Sequence, residues 1–138
     1  MDERLNKLVL ATQKPPVIEV RQWVKLHGNS KMPLLNLSQA APMSQPPDSL
    51  MKFLSEQAIL TENHLYGDVL GDLPLREEII NLWNKEYNSS ICINNVAITS
   101  GCNQAFCAAI STIASAGDSI LLPVPWYFNH EMWLKIQG

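Results

Sequence analysis

The chain has 138 residues, of which 46% are hydrophobic and 17% charged. This composition is ordinary for a globular protein and excludes a disordered chain, and the length suits one domain or a piece of a larger one. The formal net charge of −3 gives no strong attraction to nucleic acid or to an anionic membrane, so neither is expected as a partner.

The cysteines are Cys92, Cys102 and Cys107, and they form no Cys-x-x-Cys pair. An odd number without paired spacing predicts neither a disulfide framework nor a zinc site, and it fits a reducing cytosol. The first residues carry charges and no apolar h-region, so they do not predict a secretory signal. No apolar run is long enough to span a bilayer. The expected location is therefore cytoplasmic.

The first part of the chain predicts an arm, a helix and a strand. Residues 1–14 are expected to form a loose or short helical arm. After Pro15 a short helix that ends at Gly28 would follow, with one apolar stripe along its surface. The stripe consists of Val17, Ile18, Val20 and Val24. Residues 34–37, LLNL, predict a short strand, and the Pro-rich stretch after them predicts a loop.

Two amphipathic helices are predicted in the middle of the chain. The first spans roughly residues 48–60, and a loop over residues 62–72 follows it. The second spans about 73–87, because Asp72 is a good N-cap and Pro74 fits the first turn of a helix.

The last third predicts an α/β layer. Residues 96–99, VAIT, and 119–124, SILLPV, are short apolar runs that are typical of buried strands. Residues 102–116 are apolar on nearly every side, which is typical of a helix buried on most of its surface. A turn at Gly117 and a final helix ending at Gly138 complete the pattern. Strand, buried helix and strand in this order indicate a mainly parallel sheet.

Residues 99–105, TSGCNQA, lead from a predicted strand into a predicted helix. The first amides of a helix have no partner within it and the macrodipole is positive there, so this position suits a phosphate. From these residues alone, a plain strand-to-helix turn is the commoner explanation. The glycine pattern matches neither G-x-G-x-x-G nor G-x-x-x-x-G-K-[ST], which argues against dinucleotides and P-loop nucleotides.

Residues 123–130, PVPWYFNH, follow a predicted strand and therefore lie at its carboxyl end. Open α/β sheets bind ligands at that edge, and an aromatic side chain there can stack on a flat ring. Hydrophobic packing of the loop explains the run equally well. His130-Glu131 begins like the zinc motif H-E-x-x-H, but residue 134 is Leu, so no metal site is predicted.

Four segments, taken together and in order, resemble the class I/II (fold-type I) aminotransferases, which depend on pyridoxal 5′-phosphate. The segments are LNLSQAAP, YGDVLGDLPLREEI, VAITSGCNQAF and AGDSILLPVPWYFNH. The resemblance implies that residues 1–33 are an N-terminal arm or small-domain segment. It implies that residues 34–138 begin the cofactor-binding large domain, an α/β structure whose mainly parallel sheet with flanking helices would be incomplete here.

The resemblance also assigns residues to the cofactor. It implies that backbone amides at Gly101, Cys102 and Asn103 bind the phosphate group. The aromatic residue that stacks on the pyridine ring matches Tyr127 rather than Trp126.

Three further residues have roles implied by the same resemblance. His130 would support the aspartate that pairs with the pyridinium nitrogen. Tyr66 would reach the phosphate of the neighbouring subunit's cofactor, which implies a homodimer. Ala40 occupies the loop position, often glycine in the family, where the backbone meets the substrate carboxylate.

The implied activity is transfer of an amino group between an amino acid and a 2-oxo acid. The family's later Asn, its Asp-x-x-Tyr, its Schiff-base lysine and its carboxylate-binding Arg have no match here, and Lys135 resembles a solvated helix residue. No catalytic residue is therefore assigned, and this chain alone is expected to be inactive. Two other interpretations stay open. One is a lyase of the same fold, similar to 1-aminocyclopropane-1-carboxylate synthase, and the other is a non-catalytic truncated remnant.

Overall fold

The computed structural model describes residues 4–29 and 31–138, and this part of the chain is mainly helical. Its α-helices are α1 (Lys7–Ala11), α2 (Pro16–Leu26), α3 (Asp48–Ala58), α4 (Leu73–Tyr87), α5 (Cys102–Ile113) and α6 (Phe128–Gln137). Short 3-10 turns occur at His27–Asn29, Thr61–His64 and Ile93–Asn95. Within the described residues, no helix is both long and apolar enough to cross a membrane.

The helices begin at local signals in the sequence. α1 starts after Asn6, whose Oδ1 accepts a 2.9 Å hydrogen bond from the Leu8 amide. Pro74 lies in the first turn of α4, as predicted, because the N–H that proline lacks would have no helical partner there. Asp72 is the N-cap of α4, yet its carboxylate makes no capping hydrogen bond. Its backbone carbonyl accepts the first helical bond, from the Arg76 amide.

α3 ends at Ala58, before the predicted residue 60, because side chains of the following turn cap its last carbonyls. Asn63 Nδ2 donates to the Gln57 carbonyl at 2.8 Å, and His64 Nε2 donates to the Ala58 carbonyl at the same distance. These two bonds satisfy acceptors that a longer helix would have used.

α5 ends at Ile113 rather than at the predicted residue 116, because a tight turn competes for the next backbone groups. The Ser115 amide donates to Asp118 Oδ2 at 2.8 Å, and the Asp118 amide donates to the Ser115 carbonyl at 3.0 Å. Gly117 supplies the positive φ of 94° within this turn.

The predicted strands at residues 34–37, 96–99 and 119–124 are not confirmed. These segments contain no helix, and the described residues contain no strand ladder. A strand exists only through pairing with a neighbour. In the second segment, the Ile98 amide donates to the Leu70 carbonyl at 2.8 Å and the Val96 amide donates to the Ile93 carbonyl at 3.5 Å.

α5 is also more exposed than its composition predicts. Ile110 is the one buried apolar residue in the described part of the chain, with 9% of its surface exposed, whereas Ile113 at the end of the helix is 76% exposed. α6 packs against α5, and Leu134 and Gln137 of α6 line the same cavity as Ile110.

The chain forms two compact units. The first unit contains the described residues of Met1–Ala41 together with Gly101–Gly138, and the second contains Pro42–Ser100. The first unit therefore holds α1, α2, α5 and α6, and the second holds α3 and α4. The domain boundary between residues 33 and 34, implied by the resemblance, stays a prediction.

In the first unit, α5 and α6 run side by side in the same direction. Near their starts, Asn129 Nδ2 donates to Asn103 Oδ1 at 3.2 Å. Near their ends, Ser111 Oγ donates to Gln137 Oε1, also at 3.2 Å. α6 ends at Gln137, and Gly138 has the predicted C-cap position with a φ of 86°. Parallel packing brings both helix N-termini to one edge of the unit.

In the second unit, α4 is fixed by a buried cation. The Arg76 side chain is 4% exposed, and it donates from Nε to the Val96 carbonyl at 2.9 Å and from an Nη to the Ile93 carbonyl at 2.6 Å. Gly71 packs close by, because a Cβ there would lie 2.5 Å from the Ile98 Cβ.

Replacing Arg76 by Met should destabilise the second unit. The variant removes two charge-assisted hydrogen bonds and leaves two carbonyls without these donors, at a cost of about 2–4 kcal/mol. Hydrogen exchange of the α4 amides measures this local free energy. Arg21→Met, which removes an exposed arginine from α2, is the matched control and should change stability by less than about 0.5 kcal/mol. Equal protection of α4 in both variants would contradict the role given to Arg76.

Candidate functional site

The first part of the candidate site is the start of α5. Gly101 is its N-cap and has φ 94° and ψ 169°, a conformation that residues with a Cβ rarely adopt. Because Gly101 has no side chain, none caps the helix there, and the amides of Cys102 and Asn103 lie in the first turn. The positive end of the macrodipole of this 12-residue helix favours an anion at that point.

The second part is the start of α6, which contacts the start of α5. Tyr127 is the N-cap residue of α6. Its hydroxyl oxygen accepts a 2.8 Å hydrogen bond from Asn129 Nδ2, and the same nitrogen donates to Asn103 Oδ1 at 3.2 Å. A side chain of the first helical turn of α5 is thereby connected to the aromatic residue that precedes α6.

His130 is held between two aromatic rings. Its imidazole stacks on Phe106 of α5, with ring centroids 4.2 Å apart and planes 17° apart. Tyr127 meets the imidazole at nearly a right angle, with centroids 5.5 Å apart and planes 89° apart. Stacked and edge-to-face pairs are both favourable arrangements of aromatic rings, so these contacts fix the orientation of His130.

Trp126 belongs to a different contact set. Its indole Nε1 donates to Glu131 Oε2 at 3.0 Å, and Lys135 Nζ lies 2.7 Å from Glu131 Oε1. The hydrogen bond from Lys135 is the main cause that lowers the pKa of the Glu131 carboxyl below its ordinary value, and the Trp126 bond adds to it. Lys135 is thus a surface ion-pair residue of α6, as its sequence context predicts.

A cleft of about 840 Å³ opens between the start of α2, the loop before residue 42 and the start of α6. Its walls are mostly apolar. They consist of Pro15, Pro16, Val17, Val20, Ser38, Gln39, Ala40, Ala41, Tyr127, Phe128 and Asn129. The predicted substrate position, Ala40, and the predicted ring-stacking residue, Tyr127, therefore line the same space.

The structure thus brings together several of the residues predicted for one site. Asn103, Tyr127 and His130 meet through the contacts described above, and Ala40 shares the cleft with Tyr127. Gly101 and Cys102 begin the helix that carries Asn103.

Tyr66 lies in the second unit, and its side chain is fully exposed. Its predicted contact with a neighbouring subunit therefore stays a prediction. In the part of the chain that the structure describes, no group of three His, Cys, Asp or Glu side chains converges as metal ligands would.

Two residues of the site were not assigned roles from the sequence. They are Asn129, which connects the two helix starts, and Phe106, which stacks on His130. Residues 103 and 106 are three apart and share a face of a helix, so a pairing of the two predicted helices in parallel would have placed both against α6. That pairing is a tertiary feature with no local sequence signal.

Comparison with known proteins gives a consistent result. The family described as "Aminotransferase class I and II" matches residues 32–138. An aromatic aminotransferase of Arabidopsis thaliana is 27% identical over 134 residues, which are 97% of this chain and 32% of the relative. A probable aminotransferase of the same plant is 32% identical over 106 residues, which are 73% of this chain and 23% of the relative.

A third relative is the (5-formylfuran-3-yl)methyl phosphate transaminase of Methanocaldococcus jannaschii, which is 33% identical over 73 residues, 53% of this chain and 20% of the relative. The chain thus spans about a third or less of the length of these curated relatives. No solved structure matches it significantly.

The contacts of Glu131 predict its titration. Because its folded pKa is lowered, the ion pair and the indole bond stabilise α6 above the ordinary carboxyl pKa, and this stabilisation is lost as the pH falls through the lowered value. Lys135→Met should raise the pKa of Glu131 more than Trp126→Phe does, as measured by NMR of the carboxyl carbon against pH. Lys25→Met removes a lysine of α2 and should leave that titration unchanged. A larger rise in Trp126→Phe than in Lys135→Met would refute the order of the two causes.

Proposed function

The chain belongs to the class I and II aminotransferase family, and we propose that it forms the cofactor-binding part of a pyridoxal-phosphate-dependent enzyme. The whole protein transfers an amino group between an amino acid and a 2-oxo acid. When bound, the cofactor supplies the electron sink that makes loss of the amino acid's Cα proton feasible. The residues of this chain bind and orient the cofactor and form one wall of the substrate cleft.

The observation that carries this proposal is the contact between the two helix starts. Asn103 follows the turn that suits a phosphate, and Tyr127 is the aromatic residue that suits a flat ring. Asn129 hydrogen-bonds to both. A ligand that carries both a phosphate and an aromatic ring needs these two features side by side.

The residues present fit the cofactor. Gly101 has no side chain and no atom lies within 4 Å of the position that its Cβ would take, which supports close approach of a phosphate to the first helix amides. The Tyr127 side chain is 50% exposed and lines the cleft, so a ring can be placed against it. Trp126 is held by Glu131 instead, which supports Tyr127 as the stacking residue.

The cleft suggests where substrate binds. Ala40 lies in the wall of the cleft that also contains Tyr127, and in this proposal its backbone faces the substrate carboxylate. The described lining of the cleft contains no lysine. In this proposal the residues of the cleft wall bind and orient the cofactor and the substrate.

Several finer features belong to the same proposal. The parallel direction of α5 and α6 supports a mainly parallel sheet, because helices that follow successive parallel strands on one face run alongside each other. In this sheet, residues 96–99 and 119–124 are strands, and the large domain that contains it begins near residue 34. The fully exposed Tyr66 side chain supports a role across a subunit boundary in a homodimer.

The reaction itself is tested with the full-length protein. Pyridoxal phosphate, an amino acid and a 2-oxo acid are supplied together, and chromatography follows the new amino acid. Omitting the 2-oxo acid is the control that distinguishes transfer from elimination, since elimination still releases ammonia and an oxo acid. Ammonia and an oxo acid that are released from the amino acid equally well without the added 2-oxo acid, with no new amino acid formed when it is present, would refute amino-group transfer.

Gly101→Val should weaken cofactor binding by at least about tenfold. Both the backbone turn before α5 and the close approach of the phosphate to the first helix amides need glycine at this position. Affinity is measured with pyridoxamine 5′-phosphate, which has no aldehyde to react with surface lysines. Gly117→Val is the matched control, because Gly117 has the same φ of 94° and likewise nothing within 4 Å of its Cβ position. It should cost stability and leave affinity unchanged. Equal affinities in the two variants would exclude a phosphate at the start of α5.

Tyr127→Ala should weaken binding of the same compound and shift its absorbance, because stacking contributes on the order of 1 kcal/mol beyond burial. Trp126→Ala removes an aromatic residue that is bound to Glu131, so it should perturb packing more than the cofactor spectrum. Absorbance titrations of both variants measure the difference. A larger loss of affinity and a larger absorbance shift in Trp126→Ala than in Tyr127→Ala would identify Trp126 as the ring-stacking residue.

A further inference from the structure

The side-chain amide of Asn129 joins the two halves of the proposed cofactor site. Its Nδ2 atom lies 2.8 Å from the Tyr127 hydroxyl oxygen and 3.2 Å from Asn103 Oδ1. An amide NH₂ group has two hydrogens, so it can donate to both oxygens at once. One side chain thus spans from the aromatic residue at the start of α6 to the first turn of α5.

We propose that Asn129 is a positioning residue that fixes the Tyr127 ring relative to the phosphate-binding turn. This inference rests on the proposed function, because it assigns a purpose to the bridge within that site. The ring and the phosphate of the cofactor are joined by a short covalent link, so their separation is fixed within narrow limits. A site that binds both must hold its stacking residue and its phosphate donors at a matching separation.

The contacts of Tyr127 explain why it needs such support. Its side chain is half exposed, and its remaining ring contacts are a tilted one with Phe128 at 4.7 Å and an edge contact with His130 at 5.5 Å. Neither of them ties the ring to the start of α5 directly. The Asn129 bridge does, and it needs the Tyr127 hydroxyl as acceptor. A phenylalanine at 127 would keep the ring but lose this connection.

A second bridge between the same helices provides an internal comparison. Near the ends of α5 and α6, Gln137 Nε2 donates to Cys107 Sγ at 3.4 Å, and Gln137 Oε1 accepts from Ser111 Oγ at 3.2 Å. Gln137 is therefore also a side-chain amide of α6 that binds α5, but at the end away from the proposed site. A role in helix packing is shared by both amides, whereas a role in positioning belongs to Asn129 alone.

The experiment compares Asn129→Leu with Gln137→Leu in the full-length protein. Pyridoxamine 5′-phosphate is the probe, and the readouts are its dissociation constant, the induced circular dichroism of its absorption band and the melting temperature. Asn129→Leu should weaken binding about three- to tenfold, the usual net effect of one hydrogen bond, and should change the dichroism. Gln137→Leu should lower the melting temperature and leave both cofactor readouts unchanged.

Tyr127→Phe and the double variant test whether Asn129 acts through Tyr127. Tyr127→Phe should reproduce the effects of Asn129→Leu. A variant that carries both Tyr127→Phe and Asn129→Leu should bind the probe about as weakly as either single variant, because both changes remove the same hydrogen bond. Tyr127→Phe keeps the ring, and it decides the question even if Asn129→Leu fails to fold. Unchanged affinity and dichroism in Tyr127→Phe would overturn the inference.

The remaining outcomes separate this inference from the proposed function. Cofactor readouts that stay constant in Asn129→Leu, or that change equally in Gln137→Leu, would overturn the positioning role and leave the proposed function standing. If the unmodified protein binds no pyridoxamine 5′-phosphate, the proposed cofactor site is wrong and the role of Asn129 in it is refuted as well.

Discussion

The parallel packing of α5 against α6 is the constraint on which the candidate site depends. It places the start of α5, where the backbone suits an anion, beside the start of α6, which carries Tyr127 and His130. In an antiparallel pair, the start of α6 would lie at the far end of this 12-residue helix, about 18 Å away at a rise of about 1.5 Å per residue. No single ligand of small size could then contact both. The contact of Asn129 with Asn103 therefore also holds the two helix starts close enough for one small ligand to reach both.

The sequence predicts the helices well because their signals are local. α4 has the predicted bounds of residues 73 and 87, since Pro74 starts it and Asn88, with a φ of 48°, ends it. The ends of α3 and α5 differ from prediction because side chains such as His64 and Asp118 compete for backbone groups. The sheet could not be established in the same way. Apolar runs indicate which segments can become strands, but a ladder also needs neighbouring strands.

The site shows the same division between local and tertiary information. The turn at Gly101 and the aromatic run that contains Tyr127 could be found from the sequence, and the resemblance gave their order. The roles of Asn129 and Phe106 depend on which face of α5 meets α6, and no local pattern specifies that. The Tyr127 hydroxyl illustrates the consequence. Stacking of the ring does not itself require a hydroxyl, whereas the structure makes this hydroxyl the acceptor of the bond from Asn129, which connects the ring to α5.

Two glycines with nearly the same backbone angle differ in what requires glycine at each position. Gly71 has φ 95°, and a Cβ there would lie 2.5 Å from the Ile98 Cβ, so close packing alone requires glycine. Gly101 has φ 94°, and a Cβ there would meet no atom within 4 Å. Packing therefore does not explain glycine at 101. The positive φ that carries the chain into α5 is what requires glycine there, as it does at Gly117, which has the same φ of 94° and the same open space.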